Sequence, residues 1–181
     1  MMRVLIAGIV GGIAMYVWAS VAHLSPLGAA GVKALPNEAA AVAAMKLDIG
    51  SAGGLYVFPA PSAAKGGPAT GAAGMLAYSP NATLAMTPRQ LGVEFALEIV
   101  ESLLLAAALA MIAGGFGRRF GAAVLVGVIA AITTNLSYWN WYGFPADYTL
   151  ATGFIELVKY LVAGLVIALV LGRRKSATAA S

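Results

Sequence analysis

The chain contains no cysteine and a single histidine, His23. Disulfides, thiolate nucleophiles and cysteine-ligated metals are therefore excluded. A multi-histidine metal centre within one chain goes with them. Charge is scarce as well. Only 10% of the 181 residues are Asp, Glu, Lys or Arg, against about 25% in a soluble domain. Also missing are a phosphate-binding glycine loop, a dinucleotide fingerprint and a recognisable Ser-His-Asp set. A di-iron carboxylate bundle needs Glu-x-x-His on two facing helices, and the chain has no such motif. The residues thus offer no metal ligand set, no cofactor site and no catalytic residue. They read more readily as a non-enzyme than as an enzyme.

What is abundant is apolar surface: 61% of the residues are hydrophobic. Four runs stand out, at residues 4–22, 91–116, 121–138 and 149–171. Each is close to the ~20 residues that cross a bilayer as a helix. The expectation is an all-α membrane protein, a four-helix transmembrane bundle. Span 1 occupies residues 1–23, an extracytoplasmic segment residues 24–88, spans 2–4 residues 89–172 and a cytoplasmic tail residues 173–181. The formal net charge is +4, but its placement argues against a nucleic-acid partner. Arg3, Arg118, Arg119, Arg173, Arg174 and Lys175 fall at span ends that share one side of a four-span arrangement. The positive-inside rule puts that side, with both termini, in the cytoplasm. The partner implied is the lipid bilayer, in a bacterial cytoplasmic membrane.

A rival reading makes the first run a cleaved signal peptide, with Arg3 as its basic start and Ser20-Val21-Ala22 before the cut. The run is longer than the usual ~7–15 apolar residues of such a peptide. It also carries Tyr16 and Trp18 near its outer end, as an anchored helix does. Retention is the preferred reading. Gly8 and Gly12 form a small-xxx-small pair in this span. It suits close packing within the chain better than it signals a dimer.

The outer segment reads as a small cap. Pro36-Asn37-Glu38 opens a short helix, with proline in its first turn and an early acid. Gly54-Leu55-Tyr56-Val57-Phe58-Pro59 and Gly74-Met75-Leu76-Ala77-Tyr78-Ser79-Pro80 read as two short strands, joined by a Gly/Ala/Pro-rich loop over residues 61–73. Two strands alone are marginal, so the cap is expected to rest on the outer ends of the spans. Asn81-Ala82-Thr83 matches a glycosylation sequon, a hit too short to inform. Thr87-Pro88-Arg89-Gln90 then starts span 2 with a capping threonine, a first-turn proline and a capping-box glutamine.

Span 2 carries the most informative residues. Glu94, Glu98 and Glu101 fall at i, i+4 and i+7, one face of a helix. Carboxylates in or near a bilayer are costly and need a partner or a purpose. Depth can be counted from the basic ends at ~1.5 Å per residue. Glu101 and Glu156 come out ~25 Å up, Asn135 ~24 Å and Lys159 ~21 Å. Glu98 and His23 come out ~30 Å up, at the edge of the hydrocarbon, with Glu94 above them. The expectation is one outer-leaflet polar layer of Glu101, Asn135, Glu156 and Lys159, topped by Glu98, His23 and Glu94. Lys159 would neutralise Glu156 on its own helix or Glu101 across the bundle, with Asn135 filling remaining hydrogen bonds. Glu98, Glu101 and Glu156 outnumber Lys159, and an excess of that kind favours a bound proton or cation.

Between spans 3 and 4, Tyr138-Trp139-Asn140-Trp141-Tyr142-Gly143-Phe144-Pro145 is followed by Asp147. An aromatic belt at the headgroups explains it. The functional alternative is an outer lip of Asn140, Trp141, Tyr142 and Asp147 over a polar pocket.

That run, with Asp147 and Thr149, resembles a family of small bacterial inner-membrane proteins with four predicted spans and no assigned activity. Tyr78-Ser79-Pro80, Met86-Thr87-Pro88-Arg89-Gln90-Leu91 and Glu94-Phe95 carry the same likeness. So do Leu35-Pro36-Asn37-Glu38 and Gly54-Leu55-Tyr56 through Pro59. The resemblance implies four spans and a bacterial cytoplasmic membrane, and points at Glu94, Asn140 and Asp147. Three functions stay open. One is an accessory or structural subunit of a larger membrane complex or homo-oligomer. Another is a small proton- or cation-linked carrier or binding protein with an outward-facing site. The third is a membrane enzyme acting on a lipid or quinone at the outer surface, with Glu94 or Glu98 as acid/base.

Overall fold

Thr87 sets the start of the central helix as its sequence requires. Its hydroxyl accepts from the Gln90 backbone N–H at 3.2 Å, and the Gln90 side chain accepts from the Thr87 N–H at 2.9 Å. Both orphan donors of the first turn are satisfied. A computed structural model describes residues 1–59, 71–81 and 86–172. Its elements are α1 (Met2–Leu24), a 3-10 turn (Pro26–Ala29), α2 (Glu38–Ile49), β1 (Gly54–Phe58), β2 (Gly74–Tyr78) and α3 (Pro88–Met111). They continue with α4 (Phe116–Ala131), a π-helical turn (Ile132–Leu136), α5 (Ser137–Tyr142) and α6 (Ala146–Leu171).

Three helices are long and apolar enough to cross a membrane: Met2–Leu24, Phe116–Tyr142 and Ala146–Leu171. This is the make-up of a membrane protein. The helix α3 is of similar length at 24 residues. It is set apart by Glu94, Glu98 and Glu101, which fall in every 18-residue stretch of it.

Sequence continuity misplaces the end of α3. The apolar run extends to Phe116, but the helix stops at Met111, where Ile112 turns extended. Gly114 then takes a φ of +128°, a conformation that L side chains rarely adopt, and Phe116 opens the next helix. Hydropathy does not register this turn, because Ile112, Ala113 and Phe116 are as apolar as the helices they join. The Gly114-Gly115 pair was the available signal.

The helix α1 lies between α3 and α6 and packs on both by way of glycine. A Cβ on Gly12 would come within 2.7 Å of the Ile99 Cα, and one on Gly8 within 2.8 Å of the Leu103 Cα. The small-xxx-small pair therefore serves packing within the chain. Trp18 ties α1 to α6, its Nε1–H donating to the Ile155 carbonyl at 2.9 Å. The core is Ala7, Met15, Leu105, Ala106, Leu109, Ala123, Ala163 and Ile167, half of them alanine. Extensive contact for α4 comes from α6, where Gly127 faces Tyr160 and Gly164 faces Ala123.

These pairings run α1 antiparallel to α3 and to α6, and α4 antiparallel to α6. Arg3, Arg118 and Arg119 accordingly share one end of the molecule, and His23, Glu94, Asn140 and Asp147 the other. Buried Arg119 donates from Nη1 to the Gly172 carbonyl at 2.6 Å, closing the C-terminus of α6. A cation there meets the negative end of the helix dipole. Arg173, Arg174 and Lys175, and the rest of the tail, lie outside the described residues.

In the outer segment Asn37 caps α2, accepting from the Ala40 N–H at 3.2 Å. Pro36 therefore precedes the cap instead of standing in the first turn, and the helix runs on to Ile49. The strands pair antiparallel, with Tyr56 opposite Leu76. Most of the loop expected at 61–73, and Ala82 and Thr83 of the sequon, lie outside the described residues. Among the described residues, extensive packing of this segment on the long helices comes from the 3-10 turn, against α1 and α6. Neither α2 nor the hairpin packs on them to that extent, so the cap rests on the spans more lightly than expected.

Candidate functional site: a lysine among three carboxylates

Lys159 sits in the middle of α6, 7% exposed. Its Nζ lies 3.1 Å from Glu101 Oε2, 3.1 Å from Glu156 Oε1 and 3.4 Å from Glu98 Oε1. An ammonium has three hydrogens and no acceptor, so each hydrogen has one carboxylate to meet. Glu156 is three residues back on the same helix, an ordinary same-face spacing. Glu98 and Glu101 come from α3 and make the cluster a clasp between the two helices. Tyr160 adds a long hydrogen bond, its hydroxyl donating to Glu101 Oε2 at 3.4 Å.

The three acids are unequal in burial. The Glu98 side chain is 2% exposed, Glu156 22% and Glu101 40%. Enclosure by protein is a separate matter from depth: Glu101 is still the deeper of the two along α3, and Glu98 is the acid enclosed by protein. The expected heights were counted from Arg118, beyond the end of α3, and so came out too large. Counted from Met111, Glu98 stands ~20 Å along its helix and Glu101 ~15 Å. Counted from Leu171, Lys159 stands ~18 Å along α6, level with both. Glu98 Oε2 has no hydrogen-bond partner, and neither has the fully buried Ser102 Oγ one turn further on.

The other members of the expected layer do not join the cluster. Asn135 lies in the π-helical turn, where its Nδ2 donates to the Ala131 carbonyl at 3.1 Å and to Thr134 Oγ1 at 2.8 Å. Thr133 and Thr134 likewise donate to the carbonyls of Ile129 and Ala130. A widened turn leaves helix carbonyls short of partners, and these side chains supply them. The role of Asn135 is thus local rather than in the Lys159 network.

Glu94 and His23 are exposed at the end of the molecule away from Arg3 and Arg119. They share a groove of about 570 Å³ between α1 and α3, with Tyr16, Ser20, Met86 and Leu91 among its walls. The Tyr16 ring meets Phe95 edge-on beside it, at 5.2 Å. Asn140, Trp141, Tyr142 and Asp147 are all exposed as well. Tyr142, Tyr138, Phe144 and Tyr148 form a chain of ring contacts 5.4–5.6 Å apart. Asp147 Oδ1 accepts from the Tyr148 N–H. Twelve residues of α6 separate Asp147 from Lys159, or ~18 Å, so the aromatic end is not a lip over the lysine cluster.

Sequence reasoning passed over Ser102, although it lies at i+4 from Glu98 on the face toward α1. It also passed over Tyr160, which adjoins Lys159, and Trp18 as a tie between helices. Among the described residues, no group of three or more His, Asp or Glu side chains is arranged to hold a metal ion. No family model matches the chain, and no curated protein or solved structure does.

Proposed function

We propose that the chain is a four-span protein of a bacterial cytoplasmic membrane, an accessory or structural subunit of a larger membrane assembly or homo-oligomer. In this reading α3 is the fourth span. Its ~36 Å length and its packing along two apolar helices support that. Arg3, Arg118 and Arg119 at one end support cytoplasmic termini. The resemblance to small four-span inner-membrane proteins agrees with both.

The observation that carries the accessory role is the clasp. Three carboxylate oxygens lie within 3.1–3.4 Å of the Lys159 ammonium, two of them from another helix. Such an arrangement fastens α3 to α6 and leaves the ammonium nothing to offer a solute. Purification from native membranes in a mild detergent tests the role. Recovery in a stoichiometric complex, or as a defined homo-oligomer, is the expected outcome. A lone monomer that is fully stable in the bilayer would sink it.

A second reading has its own support. Three carboxylates on one lysine leave a negative excess, and Glu98 Oε2 is unpartnered. A proton- or cation-linked carrier or binding protein would use both. Folded Glu98→Gln and Glu101→Gln variants that lose a pH-dependent binding signal would favour it. Variants that lose thermal stability alone would return the cluster to the structural reading.

A further inference from the structure

The four-span accessory reading leaves open where a partner would bind. Resting on that reading, we infer that the uncovered side of α3 is the docking face for a transmembrane helix of another protein, one that carries an arginine or lysine level with Glu101. The other flanks of α3 are taken. On one of them Gly8, Gly11 and Gly12 of α1 close on Leu103, Ser102 and Ile99. On the next, α6 meets α3 through Lys159 and Glu98. α4 touches α3 only lightly. What remains is the row Glu94, Leu97, Glu101, Leu104, Ala108 and Met111. Its steps alternate three and four residues, the spacing of a seam between two packed helices. Five of the six residues are exposed, and the Glu101 side chain is 40% exposed.

In a bilayer this row faces acyl chains unless protein covers it. The leucines, the alanine and the methionine are suited to that, and Glu101 is not. It stands ~15 Å from Met111 and ~20 Å from Pro88, so neither end of the helix brings it near water. Acids inside spans face a bundle interior or a water-filled cavity and pair there. Among the described residues both partners of Glu101, Lys159 and Tyr160, lie on α6 and meet Oε2. The far side of the carboxylate is bare. A further helix laid along the row would enclose it, and polar side chains enclosed in this way hold transmembrane helices together.

Charge selects the occupant. The row carries two acids and no base. Lys159 behind it is already shared among three carboxylates. A basic side chain from outside complements the acids, and an arginine presents a planar fork that matches a carboxylate. A second copy of this chain does not supply it. Two copies paired row to row would set Glu101 beside Glu101. Beyond their first turns, α1, α3, α4 and α6 together hold one cation, Lys159, which is buried and engaged. The partner is therefore a different protein.

Because the chain has no cysteine, Ser181→Cys can carry a single fluorescent donor on the full protein. In phosphatidylcholine vesicles it is mixed with one of two acceptor-labelled, leucine-rich transmembrane peptides, one with a central arginine and one without. The arginine peptide is expected to associate about tenfold more strongly. Glu101→Leu should abolish that preference. Ala108→Trp serves if Glu101→Leu does not fold, because Ala108 is exposed and outside the lysine cluster. Its bulk on the row should abolish association of the arginine peptide, while Val17→Trp on the exposed side of α1 leaves it unchanged. Three results overturn the docking face: equal association of the two peptides, a preference that survives Glu101→Leu or Ala108→Trp, or energy transfer between copies of the chain that Ala108→Trp abolishes. The last would give the face to a second copy. The peptides need no native partner. Binding of the arginine peptide with no complex recovered from native membranes would sink the accessory role alone. A recovered complex with no peptide preference would sink the docking face alone.

Discussion

Among the described residues two cations are buried, and they are treated in opposite ways. Arg119, 3% exposed, meets a backbone carbonyl at the C-terminus of α6. Lys159, in the middle of the same helix, meets three carboxylates. At a helix end the partial charge of unpaired carbonyls suffices for a guanidinium. In mid-helix the carbonyls are already bonded, so the ammonium needs full counter-charges from side chains, and α3 must be brought alongside to provide them. The first device ties α4 to the end of α6 with no acid. The second ties α3 to the middle of α6, and its price is an excess of acid.

The comparison breaks most sharply at Lys159. Lys159→Met leaves three carboxylates facing one another, and removing one partner of a buried ion pair costs about 3–5 kcal/mol. The expected result is a protein that fails to accumulate or melts far below the parent in detergent. Unchanged melting would mean the cluster is not a clasp. Gly12→Val is a control that touches neither cation. Its new side chain meets the Ile99 backbone, which cannot yield cheaply, and about 3 kcal/mol of overpacking is expected. A loss in Gly12→Val well beyond that in Lys159→Met would assign the α3 position to α1 packing rather than to charge.

Arg119→Met removes the hydrogen bond to Gly172 and should cost about 1–3 kcal/mol. Hydrogen exchange should rise in the last turn of α6 alone. Protection lost around Lys159 as well would show that the two ends are coupled. Glu101→Gln is the mildest of these changes. Glu101 is the least enclosed of the three acids and glutamine keeps an acceptor for Lys159, so a melting shift smaller than that of Lys159→Met is expected. A melting shift as large as that of Lys159→Met would contradict the ranking of the acids by burial.

Much of the fold was legible in the sequence because its signals are local. The capping box at Thr87, the hairpin strands and the apolar stretches all depend on neighbours within a few residues. The candidate site was half legible. That Glu94, Glu98 and Glu101 share a face follows from spacing. That Glu98, not Glu101, is the enclosed member depends on which flank of that face meets α1, a tertiary contact that spacing does not reveal. Asn135 misled because depth counting assumes regular helix. The turn it occupies is π-helical, and Thr133, Thr134 and Asn135 are committed to the carbonyls of Ile129, Ala130 and Ala131 at the end of α4. Ser102 escaped notice because a serine in an apolar helix is unremarkable until a glycine of α1 closes over it.

The clasp also imposes an order of events on the growing chain. Glu98 and Glu101 are made well before Lys159. Synthesis at about 5–20 residues per second leaves roughly 60 residues, and several seconds, between the acids and their counter-ion. Through that interval, α3 carries its carboxylates with no ammonium to receive them. A chain interrupted before α6 would hold them in that condition permanently. The last long helix to emerge is thus the one that makes α3 tolerable. Truncations ahead of Lys159 should be cleared by proteolysis as whole proteins, not tolerated as shorter ones.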